Sequence, residues 1–342
     1  MTAPLDAETI AGLMPLVRQL ADGQVHSGGD LGELLGVSRT AVWKQLKKLE
    51  SLGLMVEATK GAGYKLVAPV DLLEPQRVNH FTELFTSGRA RLEILPAVDS
   101  TNSRVASLLL QPENTAFYQQ GGLVVCSAEL QTAGRGRRGR SWQSPFASNL
   151  YFSLGTQVDG GIGAYEGLSL AVGVVIVEVL QSLGAQGLSL KWPNDILHNG
   201  SKLAGILIEI GGDFAGVCSL VVGVGVNCQM PSAVGNNIDQ SWSDLRAATE
   251  GENNWTRSEL LAKLSQALAE LINTYAQVGF SGYRQRWLQW DACLHQPVVV
   301  KTVRDQQSGL CLGVDDNGAL LMEVNGQTQT FSGGEVSLRL TE

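Results

Sequence analysis

The sequence predicts an α+β protein built in three parts. Helical spacing with a Gly-then-Ser punctuation dominates the first 66 residues, strands and helices then mix without regular βαβ alternation, and short strands with tight turns fill the last fifty. These features give an N-terminal winged helix-turn-helix over 1–66, a linker over 67–80, a central mixed domain over 81–291 and a small β-barrel over 292–342. The chain has 342 residues, 44% hydrophobic and 17% charged, which suits a globular protein with more than one core. A net charge of −8 excludes a general polyanion binder, so any nucleic-acid contact must come from a local patch.

In the first part, Ile10, Leu13, Val17 and Leu20 recur at helical spacing. A second helix, Asp30 to Leu35, stops at Gly36, a natural left-handed position. Ser38 then caps a third helix with Ala41, Val42, Leu46 and Leu49 facing inward. Strand-like segments flank Lys60-Gly61-Ala62 and read as a wing. The segment carries as many acidic as basic residues, yet Arg39, Lys44, Lys47 and Lys48 meet no acid before Glu50. That focusing fits a recognition helix, with Ser38, Arg39, Thr40, Lys44 and Lys47 as the DNA-contacting set. The same module also serves protein contacts, and Trp43 fits either a core or a groove edge.

Pro69 and Pro75 bracket the linker. Beyond it, Leu92 to Val98 reads as a strand, and Ser100-Thr101-Asn102 supplies N-cap chemistry for a helix. Leu123 to Glu129 is a further strand, and Leu150, Phe152 and Leu154 alternate as in a half-buried one. Leu168, Val172, Val175 and Val179 mark an amphipathic helix whose apolar run contains Glu178 and is too short to span a bilayer. Leu188 to Trp192, Lys202 to Ile210 and Leu220 to Val226 complete a sheet, and Thr256 with Glu259 forms a capping box for a helix to about Val278. Turns at Asp316-Asn317-Gly318 and Asn325-Gly326 punctuate the terminal strands. The N-terminus lacks a signal-peptide pattern, and five scattered cysteines with no CxxC fit reduced, buried thiols in a cytoplasmic protein. The four histidines are scattered too, so no resident metal site is expected.

Two motifs carry chemistry. Gly134-Arg-Gly-Arg-Arg-Gly-Arg140 packs four arginines and three glycines into seven residues, which no helix or strand interior tolerates. It reads as a cationic loop for phosphate or carboxylate, or else as a solvated or nucleic-acid-binding run. Lys191-Trp-Pro-Asn-Asp195 precedes Asn199-Gly200, a type I′ hairpin signal. With those two residues as the loop, Lys202 lies opposite Leu197 and on the face of Asp195, their Cβ atoms about 7–8 Å apart. On spacing alone an ordinary surface ion pair is the better reading. Gly205, Gly223 and Gly225 interrupt strands, which is favourable where a ligand or another backbone must come close. No Rossmann fingerprint, P-loop or nucleophile elbow is present, so a nucleotide would need the arginine loop.

Asp99-Ser-Thr-Asn102, Gly134 to Trp142, Lys191 to Asp195, Lys202-Leu-Ala-Gly-Ile-Leu207, Gly223-Val-Gly-Val-Asn227 and Gly333 to Arg339 stand in the order seen in biotin–protein ligases. With the winged helix, the whole chain resembles the bifunctional form, ligase and biotin operon repressor. The resemblance implies a central domain of the biotin/lipoate ligase type and an SH3-like C-terminal barrel. It implies ATP-dependent, Mg²⁺-assisted formation of biotinyl-5′-adenylate and transfer of biotin to a lysine of the biotin carboxyl carrier protein. It further implies operator DNA as a partner, a homodimer in the adenylate-bound state and no membrane. Ser100, Thr101, Asn102, Gln131, Arg135, Gly136, Arg137 and Lys202 are then the biotin set. Arg138, Arg140, Trp142, Asn194, Asn227 and Arg339 form the nucleotide set, and Lys202, Arg137 and Asp195 the catalytic set. A ligand-sensing repressor with an inactive ligase domain is the alternative.

Overall fold

The computed structural model describes residues 5–340 apart from 160, 213–215, 237, 253, 302–304 and 334–336, and without the side chains of Ser337, Arg339 and Leu340. Helix α1 (Ala7–Leu20) opens at Asp6, whose carboxylate accepts from Thr9 N at 2.7 Å. Its Ile10, Leu13, Leu16, Val17 and Leu20 are buried. Helix α2 (Gly28–Leu35) ends at Gly36, φ 63°, and α3 (Arg39–Ser51) starts at Ser38. Gly32 is required here, because a Cβ on it would sit 2.9 Å from the Val37 carbonyl oxygen and prise the turn open. The wing is the antiparallel pair β1 (Val56–Thr59) and β2 (Gly63–Leu66), bound through Tyr64 to the backbone of His26.

The segment expected as a linker, 67–80, is firmly held. Helix α4 (Pro75–Phe81) starts inside it, with Pro75 in the first turn where no N–H is needed. Arg257 lies 3% exposed beside Glu129, 2.7 Å away and 2% exposed, and also donates to the carbonyls of Asp71 and Asn149. Glu129 in turn accepts from Leu73 N at 2.7 Å. Leu72, Ala97 and Phe146 extend the winged-helix core into the central domain. A fully bonded buried pair of this kind tolerates no removal of one partner.

The central sheet has seven strands in the order β3-β4-β5-β9-β8-β7-β6. They are β3 (Ala90–Leu95), β4 (Leu123–Ala128), β5 (Leu150–Val158), β6 (Leu188–Lys191), β7 (Asp195–His198), β8 (Ser201–Gly212) and β9 (Cys218–Val226). Only β3 and β4 pair in parallel, so the sheet is mixed. Helices α5 (Thr101–Leu109) and α6 (Thr115–Gln119) connect those two strands. Helix α7 (Leu168–Ser182) follows β5, the short α8 (Ser232–Gly235) and α9 (Leu245–Ala248) follow β9, and α10 (Arg257–Val278) and α11 (Ser281–Gln289) close the domain.

Two expectations are corrected. Strand β5 is buried on both faces, because α5 covers one and α10 the other. Its second face is small enough for this: a Cβ on Gly155 would meet Val105 Cγ1 at 2.2 Å. Helix α7 is buried nearly all round, lying between the sheet and helices α10 and α11, so its apolar length reflects a core position.

The C-terminal part is a five-stranded antiparallel sheet, β13-β12-β11-β10-β14, from β10 (Pro297–Lys301), β11 (Gln306–Val314), β12 (Leu320–Val324), β13 (Gln327–Phe331) and β14 (Ser337–Leu340). A bulge between Cys311 and Gly313 bends it, and Asn325-Gly326 adopts the positive φ angles of the expected turn. Trp192, 2% exposed, ties it to the central domain by donating from Nε1 to Gly318 O.

Candidate functional site

A cleft of about 800 Å³ opens on one face of the central sheet. Its floor follows from register. Ser153, Gly223 and Leu207 lie side by side across β5, β9 and β8, and Tyr151, Gly225, Gly205 and Asp195 form the next row. A Cβ on Gly223 would meet Asn102 Oδ1 at 2.1 Å, and one on Gly225 would meet the Trp142 indole at 2.6 Å. The strand glycines therefore admit side chains of this same chain: Asn102 is seated in one notch and Trp142 in the other.

The β7–β8 hairpin turns at Asn199-Gly200, with φ 47° and 79°. Lys202 pairs with Leu197 as the spacing predicts, and a bulge at Leu203 brings Gly205 opposite Asp195. The Lys202 Nζ to Asp195 Oδ1 distance is 2.7 Å, with the two side chains 18% and 22% exposed. This pair is held in a rigid ladder, and Lys202 also exchanges backbone bonds with Ser241 and Ser243. Its ammonium stands 5.4 Å from the Trp142 ring centroid.

The arginine loop arches over this floor. Backbone bonds Gly136 N to Arg140 O and Trp142 N to Gly134 O close it, and Arg138 takes a left-handed conformation at φ 58°. Arg137 donates to Asn194 Oδ1 at 3.2 Å and to the Gly333 carbonyl. Burial lowers its guanidinium below the ordinary arginine value, and the nearby Asp195 charge works against that shift. Arg135 pairs with Glu209 at 3.0 Å. Arg138 and Arg140 line the mouth.

At the other end stands the first turn of α5. Ser100 occupies the N-cap position but makes no side-chain capping bond, which corrects the sequence expectation. The cap is replaced: Asp99 Oδ1 accepts from Ser100 N at 2.6 Å, and Gln131 Oε1 accepts from Thr101 N at 2.9 Å. Ser100, Thr101 and Asn102 are buried and line the cleft. Asn194 donates to Ile206 O, and Asn227 donates to Ser243 O. Trp142 Nε1 and Asn227 Oδ1 are buried with no hydrogen-bond partner among the described residues.

All the ligand-site residues expected from the sequence line this one cleft except Arg339, whose side chain lies outside the described residues; its neighbour Leu338 contributes. The residues expected to contact DNA sit apart, on α3 and its N-cap. Arg39, Thr40, Lys44 and Trp43 are exposed, while Ser38 Oγ accepts from Ala41 N and Lys47 pairs with Glu50 at 2.8 Å. Sequence reasoning missed Glu209, Ser153, Ser144 and the 238–242 segment beside Lys202. Among the described residues, no three His, Cys, Asp or Glu side chains gather as a metal cage.

Three family models match in turn: an HTH domain over residues 15–65, the Biotin/lipoate A/B protein ligase family over 95–227, and the Biotin protein ligase C terminal domain over 294–339. The bifunctional ligase/repressor BirA of Salmonella typhimurium is 38% identical over 96% of this chain and 98% of its own length. Its Escherichia coli counterpart is 36% identical over the same shares. A biotin protein ligase from Aquifex aeolicus, solved with biotin and ATP, superposes with a TM-score of 0.60 at 26% identity, covering 73% of this chain and 99% of that one. Likeness of this degree runs through the winged helix, the cleft-bearing sheet and the terminal sheet alike, and the chain belongs to the bifunctional biotin ligase and repressor family.

Proposed function

We propose that the cleft joins biotin to ATP and then passes biotin to a lysine of the biotin carboxyl carrier protein. In the first step a biotin carboxylate oxygen bonds to the α-phosphorus as the bond to pyrophosphate breaks. In the second, the lysine amine attacks the carbonyl carbon of the mixed anhydride, AMP leaves, and the amine loses a proton. Both steps bring negative or developing negative charge together, so positioned cations are the main requirement. The observation that carries the reading is the Lys202–Asp195 pair, fixed on the hairpin directly beneath the arginine loop.

Lys202 bridges the carboxylate and α-phosphate oxygens, and Arg137 closes from the loop side. An anion between them relieves the desolvation that depresses the Arg137 guanidinium. Ser100, Thr101, Asn102, Gln131, Arg135 and Gly136 form the biotin end, where hydroxyl and amide groups match a ureido ring. The unpartnered Trp142 Nε1 and Asn227 Oδ1 face the nucleotide end, with Arg138, Arg140 and Asn194 beside it and Arg339 on the adjoining strand. Asp195 orients the incoming amine. Mg²⁺ carried on the ATP phosphates would supply positive charge for the pyrophosphate leaving group, held by at most one or two carboxylates; the cleft lining, with Asp195 and Asp239, fits that mode rather than a protein cage.

The exposed face of α3, with Ser38, Arg39, Thr40, Lys44 and Lys47, binds operator DNA, and adenylate-bound chains pair as a homodimer on a palindromic site. Free, buried cysteines and these partners support a cytoplasmic location. Mass spectrometry of a carrier domain after incubation with the protein, biotin and MgATP tests the enzyme reading. A biotin adduct is expected. Absence of both the adduct and biotin-dependent pyrophosphate exchange would favour a repressor with an inactive ligase domain.

A further inference from the structure

We infer that Glu209 is a positioning residue for biotin, acting through Asn102 to set the direction of a hydrogen-bond chain along the cleft floor. This rests on the biotin-binding reading above and deepens it. Glu209 sits on β8, and its Oε2 accepts from Asn102 Nδ2 at 2.7 Å and from Arg135 at 3.0 Å. An ionised carboxylate only accepts, so the Asn102 amide must turn its NH₂ toward Glu209 and the Leu207 carbonyl, 3.2 Å away. Its Oδ1 then faces Ser153, whose hydroxyl donates to it at 2.6 Å.

A hydroxyl has one proton, and Ser153 has used it. The Thr101 and Ser153 hydroxyls, 2.7 Å apart, must therefore run from Thr101 to Ser153. Gln131 Oε1 keeps the Thr101 backbone N–H at 2.9 Å, which leaves the Gln131 NH₂ to donate to Ser144 Oγ at 3.1 Å. Ser144 donates onward to the Trp142 carbonyl at 3.2 Å. The Glu209 carboxylate thus orients Asn102, Ser153 and Thr101, and the Thr101 backbone N–H, with its hydroxyl 3.2 Å from the same Gln131 oxygen, sets the remainder of a chain that runs from β8 to the exit of the arginine loop. The same carboxylate grips the loop's entry through Arg135.

With their protons committed, Thr101 and Asn102 keep only lone pairs, while Gln131 keeps one N–H beyond its bond to Ser144. That polarity suits a cyclic urea, whose two N–H groups need acceptors and whose carbonyl accepts one donor. Without Glu209, only the longer bond to the Leu207 carbonyl, 3.2 Å, opposes Asn102 turning its NH₂ toward Ser153, and the pattern loses its stronger anchor. Glu209→Gln is nearly isosteric but carries both a donor and an acceptor, so it no longer dictates the turn.

Calorimetric titration of the full chain with biotin alone tests this, for wild type, Glu209→Gln and Ser153→Ala. Both variants are expected to weaken biotin about tenfold, with the KM for ATP in pyrophosphate exchange unchanged within about twofold. A general loss of structure would move both ligands together. Wild type that binds biotin beside a Glu209→Gln variant of unchanged affinity, or variants that lose ATP and biotin equally, would overturn the inference. Wild type that binds no biotin would instead overturn the functional reading itself.

Discussion

The hairpin that carries Lys202 and the loop that carries the arginines offer the same charge to the same cleft, yet they are built in opposite ways. The hairpin is locked into a ladder through β8 and β9, and its cation is paired at 2.7 Å. The loop runs through an isolated bridge and a few backbone bonds, with Arg138 and Gly139 at positive φ, and its cations reach across to Asn194, Gly333 and Glu209. Groups that must meet reacting atoms gain from the first kind of support, where geometry is fixed before substrate arrives. Groups that enclose a finished intermediate gain from the second, which can open to admit and release. On the proposed function, chemistry falls to the hairpin and retention to the loop.

Lys202→Ala breaks the comparison hardest. Removing a charge that stabilises the transition state is expected to lower biotin-dependent pyrophosphate exchange by about 10²–10³-fold. Exchange within about threefold of wild type would move the chemistry off the hairpin. Arg137→Gly follows with a different signature. Losing one guanidinium fork from the loop is expected to speed release of the adenylate about tenfold, while the rate of adenylate formation changes less than about threefold. Stopped-flow release against single-turnover synthesis separates the two, and equal losses in both would erase the distinction.

The two regions also differ in how far sequence reveals them. The hairpin was legible because Asn199-Gly200 fixes a register, and a register fixes which side chains share a face. The helix-turn-helix was legible for the same local reason, through Gly36 and Ser38. What encloses the site depends on distant pairs. Glu209 and Ser153 look like ordinary polar positions of a strand, and their shared partner Asn102 lies 107 residues from one of them. The held linker hides in the same way, since Asp71 meets Arg257 across 186 residues. Strand β5 misled because Ser153 and Gly155 look solvent-facing by polarity and size, whereas their smallness serves the close approach of α5. The strand glycines pointed to a close approach, but only coordinates reveal that Asn102 and Trp142 make it.

A matched pair of glycines gives the finest test. Gly139 in the loop and Gly200 in the hairpin have φ of +70° and +79°, and a Cβ on either meets nothing within 4 Å. Alanine at each position therefore adds no clash and the same backbone strain, ~1 kcal/mol in the left-handed region. Where that strain registers depends on how the segment is supported. In the hairpin the ladder holds the conformation with or without ligand, so Gly200→Ala is expected to lower thermal stability by that amount and leave adenylate release unchanged. In the loop the strain falls on closure itself, so Gly139→Ala is expected to speed release about fivefold, the factor that ~1 kcal/mol commands, with thermal stability of the ligand-free protein nearly unchanged. Two substitutions alike in chemistry and space should thus be read out by two different instruments. If both variants lost stability equally and neither changed release, the loop would be as rigid as the hairpin, and the division between chemistry and retention would fail.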